Sequence, residues 1–257
     1  MNSARSKKIL LACLLAALPV YADLVVGLDA AAKQDWKTAY REFQESANHG
    51  NANAEVNLGN LYMRGLGVEQ NYEAARRWYE KAALQGNPIA EAKLGVIYYY
   101  GLGVPESRPF AAEWLQKAAD QGDAHSAMIL GEMYSSGDGI AKDRNHAYVW
   151  YTISQELGNH EADLPRNTLA SELSSLEIHN ALERVNHWRE SYAAQVEKAN
   201  RQASREVRSP EAGATRGTAP ADPAKKPSQV PAPEKGQTKD SAKTWEGLDA
   251  KMTRKIN

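Results

Sequence analysis

The chain repeats itself when it is shifted by 36 residues, and this periodicity constrains its fold more than any other feature of the sequence. Three successive units carry the same residue type at matching places: Leu58, Leu94 and Leu130; Gly59, Gly95 and Gly131; Tyr62, Tyr98 and Tyr134; Ala75, Ala111 and Ala147; Trp78, Trp114 and Trp150. A period of this length is typical of arrays in which each unit buries its apolar face against the next.

Each unit has the pattern of two helices joined by a short turn. In the first half of a unit, Ala54, Leu58 and Leu61 recur at helical spacing, and Gly59 on the same face lets a neighbouring helix approach closely. In the second half, the apolar residues again fall on one stripe. The three matching tryptophans lie on this stripe, and their recurrence predicts that they are core residues.

The glycine pair in "GLGV", residues 65–68, has two possible roles. It could form a phosphate-cradling loop, but a dinucleotide loop requires a preceding strand and a third glycine, and position 70 is Gln70. It could instead end the first helix, because glycine adopts positive φ without steric cost. The same motif recurs at residues 101–104 and, as "GDGI", at 137–140, which favours the turn.

The unit "AEVNLGNLYMRGLGVEQNYEAARRWYEKAALQGN", residues 54–87, resembles the Sel1-like repeat, a relative of the tetratricopeptide repeat. This resemblance implies an all-α fold, an α/α superhelical solenoid. Repeats are expected at 50–85, 86–121 and 122–157, after a partial unit at 23–49 and before a cap at 158–192. In the cap, Ser174 and Glu177 have the spacing of a capping box, and Ala181, Val185, Trp188 and Tyr192 form an apolar face.

By resemblance to tetratricopeptide arrays, the varied positions of the first helices should line a concave face that binds a protein or peptide. The expected binding residues are Asn53, Asn57, Asn60, Met63, Lys93, Val96, Tyr99, Ile129, Glu132 and Ser135. The alternative is an ordinary solvated surface. Binding is favoured because grooves of helical arrays commonly hold partners.

The first 22 residues have the pattern of a signal peptide, with Arg5, Lys7 and Lys8 before an apolar run from Ile9 to Val20. Cleavage after Ala22 would predict a periplasmic or secreted bacterial protein. An uncleaved anchor is disfavoured because the run is shorter than the ~20 residues that span a bilayer. A lipoprotein signal ending at Cys13 would leave almost no apolar stretch before the cysteine. After cleavage no stable membrane span is expected.

Residues 193–257 are predicted to be a disordered tail, because from about Ala203 they are rich in proline and poor in aromatic residues. Within this tail, Trp245, Leu248, Met252 and Ile256 recur at helical spacing. The pattern indicates a short helix at 244–256 that could dock on the protein's own groove or on a partner.

The sequence gives little support for a catalytic or metal-binding function. It lacks the His-Glu-x-x-His, Gly-x-Ser-x-Gly and Ser-x-x-Lys motifs, so we expect no metal, no cofactor and no catalytic residues. The net charge of −1 becomes −4 without Arg5, Lys7 and Lys8, and no dense basic stripe points to nucleic acid. The expected function is an exported protein-interaction scaffold or adaptor. An alternative is a regulator or inhibitor of a cell-envelope enzyme, and a third is a peptidoglycan or β-lactam hydrolase.

Overall fold

The computed structural model describes residues 24–208, which contain helices and no strand. Helix α1 covers 24–32. The other helices are α2 (Trp36–Asn48), α3 (Ala52–Arg64), α4 (Tyr72–Leu84), α5 (Pro88–Tyr100), α6 (Arg108–Asp120), α7 (Ala124–Ser136), α8 (Arg144–Glu156), a 3-10 helix (His160–Ala162), α9 (Asp163–Glu172) and α10 (Ser175–Arg208). The chain divides into two compact units between Lys198 and Ala199. The packing described below belongs to the first unit, and the described part of the second, 199–208, is the end of α10.

The helices α2 to α8 pack in chain order, each on the helix that follows it. Pairs α3–α4, α5–α6 and α7–α8 are the three predicted repeats, and their partners at the ends are α1–α2 and α9–α10. The all-α solenoid expected from the sequence is confirmed. The predicted signal peptide, 1–22, and the predicted short helix, 244–256, lie outside the described residues.

The same kinds of capping residue start and end the first helix of each repeat. The side chains of Asn51, Asn87 and Asp123 accept hydrogen bonds from backbone N–H groups in the first turns of α3, α5 and α7. The glycines that follow these helices, Gly65, Gly101 and Gly137, have φ values of 66°, 62° and 84°, in the left-handed region. The glycine pairs are therefore turns, as their recurrence predicted.

A second backbone contact fixes each helical hairpin. The N–H groups of Asn71, Ser107 and Asp143, which precede the second helices, donate to the carbonyl oxygens of Tyr62, Tyr98 and Tyr134 at 2.9 Å each. These tyrosines belong to the first helices, so the repeated residue marks a repeated backbone contact. The contact sets the same register between the two helices of every repeat.

Helical glycines let the paired helices come close together. A Cβ atom placed on Gly59 would lie 2.6 Å from the ring of Tyr79, and one on Gly131 would lie 2.5 Å from the ring of Tyr151. At Gly95 the neighbour is Leu115, at 2.7 Å. The side chains that fill the core opposite these glycines are therefore at positions 79, 115 and 151.

Two of the three matching tryptophans are not full core residues. Trp150 is buried, but Trp78 and Trp114 are half-buried, with the ammonium groups of Lys81 and Lys117 over their rings at 3.8 and 4.0 Å. The prediction that all three are core is corrected for these two. Their neighbours Tyr79 and Leu115 are fully buried because they face the helical glycines.

The cap is formed by α9 and α10. The capping box is present: Ser174 N and Oγ donate to Glu177 Oε2 at 2.8 and 2.7 Å, and Glu177 N donates to Ser174 Oγ at 3.3 Å. Ala181 and Val185 are buried against the third repeat. A Cβ atom on Gly122, at the end of α6, would lie 2.6 Å from the ring of Tyr192, so α10 also contacts the turn that precedes α7.

The predicted start of the disordered tail at residue 193 is wrong for residues 193–208, which continue α10. This stretch contains no glycine or proline and is rich in Ala, Glu, Gln and Arg, which all favour helix. Within 24–208 none of the helices has both the length and the apolar character needed to cross a membrane.

Candidate functional site

The ten predicted binding residues all lie on the first helices α3, α5 and α7, but they differ in accessibility. Asn53 and Glu132 are exposed; Asn57, Asn60, Tyr99, Ile129 and Ser135 are half-buried; Met63, Lys93 and Val96 are buried. A partner that approaches the folded chain therefore cannot contact the last three. They are corrected to core positions.

The central position of α5 explains why Lys93 and Val96 are buried. Every residue from Ala90 to Ile97 is buried, since α5 belongs to the middle repeat and has a repeat on each side. Met63 packs into the core cluster that contains residues of α4 and α5. The sequence pattern of a single repeat does not predict this burial, because the neighbouring repeats cause it.

Asparagines of the predicted site form hydrogen bonds within the array. Tyr79 Oη donates to Asn60 Oδ1 at 2.8 Å, which satisfies the only polar atom of a buried ring. Asn87 Nδ2 donates to Asn53 Oδ1 at 3.1 Å and so joins the first repeat to the second. Asn57 Nδ2 donates to the carbonyl oxygen of Asn53 at 2.9 Å. Asn53 and Asn60 thus have structural roles in addition to any role in binding.

Tyr99 joins the second repeat to the third. Its hydroxyl donates to Asp138 Oδ2 at 2.9 Å, and the guanidinium of Arg108 lies 3.7 Å from its ring centroid. Arg108 also forms an ion pair with Asp138 at 3.1 Å. Burial and the hydrogen bond to Asp138 raise the pKa of Tyr99 to about 12. The aromatic side chain predicted to grip a partner is held instead in this inter-repeat contact.

Lys93 is a buried cation in the middle of the array. Burial lowers the pKa of Lys93 from 10.5 to about 8, against the opposing attraction of Asp123, while Arg64 lowers it further. The folded chain therefore holds this proton less tightly than the unfolded chain does. Protonation of the buried amine lowers the free energy of unfolding. This free energy is therefore highest above pH 10.5 and is reduced as the pH falls through 8.

This shift predicts a pH dependence of stability. Between pH 7 and 9 the free energy of unfolding of the natural chain should rise by about 1 kcal/mol relative to that of Lys93→Met, which has no proton to lose. Urea denaturation of both proteins at pH 7, 8 and 9 gives the difference between their free energies of unfolding. Every other titratable group is present in both proteins, so the change in this difference with pH comes from Lys93. Parallel curves would contradict the lowered pKa of Lys93.

The structure reveals exposed apolar residues on α5 that the sequence analysis missed. Ile89 is 51% exposed and Tyr100 is 37% exposed, although residues 90–97 between them are buried. Ile89 and Tyr100 lie 36 residues after Asn53 and Arg64, so they occupy the equivalent positions of the second repeat. We call Asn53, Asn57, Ile89, Tyr100 and Glu132 the inner-face residues.

A second candidate region is a cleft across the second helices, with a volume of about 450 Å³. Its walls are α6, which contributes Gln116 and Asp120, and α10, which contributes Arg184, His187, Trp188, Ser191 and Gln195. Its floor is α8, with His146 and Trp150, together with Tyr134 of α7. The sequence did not predict this cleft, because no spacing within one helix shows that residues of four helices come together.

The described residues contain no cluster of three histidine, cysteine or carboxylate side chains that could hold a metal ion. Both candidate regions are built from amides, aromatic rings and single charges.

Comparison with known proteins agrees with this architecture. The Sel1 repeat family matches residues 52–87, 88–123 and 124–159. These bounds have the predicted period and begin two residues later than the division made from the sequence. No curated protein is significantly similar to the chain.

Solved structures that are similar to the chain include those of two bacterial proteins. A Sel1 repeat protein from Oxalobacter formigenes is 33% identical, with a TM-score of 0.52, over 55% of this chain and 56% of that one. The protein c5321, described as a protective antigen present in uropathogenic Escherichia coli strains displaying an SLR fold, is 28% identical, with a TM-score of 0.56, over 72% of this chain and 38% of that one. The matched part thus spans less than two thirds of either solved protein. The chain therefore contains three Sel1 repeats, which together cover residues 52–159.

Proposed function

We propose that this chain is an exported scaffold or adaptor that binds a protein or peptide through the inner-face residues. Sel1 repeat proteins generally mediate protein–protein interactions, and their fold is typically a non-catalytic scaffold. The proposal adds the exported location and the surface that makes the contact.

The observation that carries the proposal is the exposure of Ile89 and Tyr100 at the two ends of a helix whose middle is buried. Aromatic residues are enriched at interfaces, where a ring supplies contact area and a hydroxyl supplies a hydrogen bond. The amides of Asn53 and Asn57 on the neighbouring helix α3 are suited to the backbone of a bound segment. Binding sites commonly combine apolar contact area with a small number of polar groups that orient the ligand.

The experiment starts from the full chain expressed with its natural N-terminus in a Gram-negative host. The first expected result is recovery from the periplasmic fraction of a protein that lacks residues 1–22, as measured by its intact mass. A photo-crosslinking residue at position 89 should then trap a discrete partner in the envelope. Ile89→Ser with Tyr100→Ser should lower the affinity of the purified chain for that partner by about tenfold or more, since central apolar contacts dominate interface energies.

The matched control is Leu84→Ser with Phe110→Ser. These residues are also exposed and apolar, at 85% and 55%, but they lie on the second helices α4 and α6. The control should leave the affinity unchanged. Equal loss in the two double variants would show that general apolar exposure, and not the inner face, determines binding.

A further inference from the structure

The cleft across the second helices has a different character from the inner face, because its two ends carry opposite charges. It lies between α6 and α10 above α8, within the first compact unit. Its volume of about 450 Å³ is within the range that small ligands and short peptide segments occupy.

The positive end is built around Arg184. Arg184 Nη1 lies 3.1 Å from His146 Nε2, and His146 Nδ1 lies 2.7 Å from Asp143 Oδ2. When His146 Nδ1 donates to Asp143, its Nε2 can accept from Arg184. The imidazole also stacks on the ring of Tyr134, with centroids 5.0 Å apart. The contact with His146 orients one side of the guanidinium, and the Arg184 side chain is otherwise exposed.

The negative end is built around Asp120. This carboxylate is half-buried and accepts one hydrogen bond, from Gln116 Nε2 to Oδ1 at 3.0 Å. Its other oxygen has no donor among the described residues. Burial raises the pKa of Asp120, since water is partly removed from it and only Gln116 compensates. A cationic or N–H donor group that entered the cleft would replace the missing solvation.

The geometry of α10 separates the two ends. Tyr192 lies against Gly122, two residues beyond Asp120, so the Asp120 end of the cleft faces Ser191 and Gln195. Arg184 is seven residues before Ser191 and eleven before Gln195, which corresponds to roughly 10–16 Å along a helix. An extended chain covers this distance in about three to five residues.

The wall between the two ends supplies a further unsatisfied donor. Trp188 Nε1 is buried and has no acceptor within the described part of the chain, while its ring stacks on Tyr192 at 5.1 Å. A peptide carbonyl oxygen in the cleft could accept this hydrogen bond after a small movement of the ring. A buried donor without an acceptor is costly, so an occupant that supplies one gains affinity.

We propose that this cleft binds a short extended segment of a partner protein that has an acidic and a basic side chain three or four residues apart, the acidic one on Arg184 and the basic one on Asp120. A neutral oligosaccharide would use the aromatic floor but neither charge. This proposal does not depend on the inner-face residues, so a negative result for one of the two sites does not contradict the proposal for the other.

The test uses the full chain after removal of residues 1–22, labelled with ¹⁵N, and the probe peptide acetyl-Asp-Thr-Val-Thr-Lys-amide. NMR titration should move the indole N–H signals of Trp150 and Trp188. Asp120→Asn and Arg184→Gln should each weaken binding by about tenfold, as expected for a charge-assisted contact that is partly shielded from water. The controls Glu113→Gln on the exposed side of α6 and Lys37→Gln on α2 change the net charge equally and should have no effect.

Changes in the probe separate a direct contact from damage to the fold. A peptide with Gln in place of its Lys should bind the natural chain more weakly and be indifferent to Asp120→Asn. A peptide with Asn in place of its Asp should be indifferent to Arg184→Gln. Equal binding of the three peptides would overturn the proposal. So would movement of the same indole signals by chitotetraose with no response to any peptide, which would assign the cleft to carbohydrate.

Discussion

Replacement of Tyr79 by alanine is expected to cost about 3–5 kcal/mol of unfolding free energy, as is usual when a large buried aromatic side chain is removed. The side chain is fully buried, and its ring covers Gly59, which has no side chain to fill the space that the substitution leaves. The change also removes the hydroxyl that donates to Asn60. Chemical denaturation monitored by circular dichroism gives the difference.

Two comparisons identify the source of this loss. Tyr79→Phe keeps the ring and removes one hydrogen bond, so it should cost only about 1 kcal/mol. Trp78→Ala removes a larger side chain, but one that is half-buried under Lys81, and we expect a cost of about 1–2 kcal/mol. A larger loss for Trp78→Ala than for Tyr79→Ala would mean that the second helix is rotated relative to the arrangement described here.

The second large effect is expected for Gly139→Ala, at about 2–5 kcal/mol. Gly139 has a φ of 76°, and a Cβ atom there would lie 1.9 Å from Cβ of Arg108. The left-handed conformation costs an alanine about 1–2 kcal/mol, and forced repacking adds about 1–3 kcal/mol. Because Arg108 lies over Tyr99 and pairs with Asp138, the substitution would also disturb the contact between the second and third repeats.

Gly86→Ala is the matched control for this prediction. Gly86 has a φ of 79°, close to that of Gly139, but no atom lies within 4 Å of the position of its missing Cβ. Its substitution should therefore cost only the conformational part, about 1–2 kcal/mol. If thermal or urea unfolding gives the same loss for both glycines, the close approach of Arg108 has no energetic importance.

The sequence was sufficient for those parts of the fold that depend on local interactions. Capping side chains and helix-ending glycines act within a few residues, and the 36-residue period repeats both three times. The capping box of α10 occurs once and is equally local. The sequence was not sufficient to decide whether Trp78 or Tyr79 is the fully buried residue. Adjacent helix residues point about 100° apart, and both residues are aromatic, so composition does not show which one faces Gly59.

The candidate sites were harder to predict, because they depend on neighbouring repeats. Lys93 and Val96 vary between repeats as surface residues do, yet the flanking repeats bury them. Ile89 could have been found by projecting Asn53 forward by 36 residues. The cleft could not be found in this way, since Asp120 and Arg184 are 64 residues apart in the sequence and line the same cleft only because α10 packs on the third repeat.

The contact between Tyr192 and Gly122 also has a consequence for the kinetics of folding. Neighbouring helices of the repeats form contacts that are short in sequence, and such contacts form quickly. Tyr192 instead closes a segment of 70 residues onto the turn before α7, and the loop-closure entropy of that segment opposes its early formation. The cap should therefore dock late, and once docked it prevents the array from fraying helix by helix from this end, so that the third repeat and the cap open together as one cooperative unit.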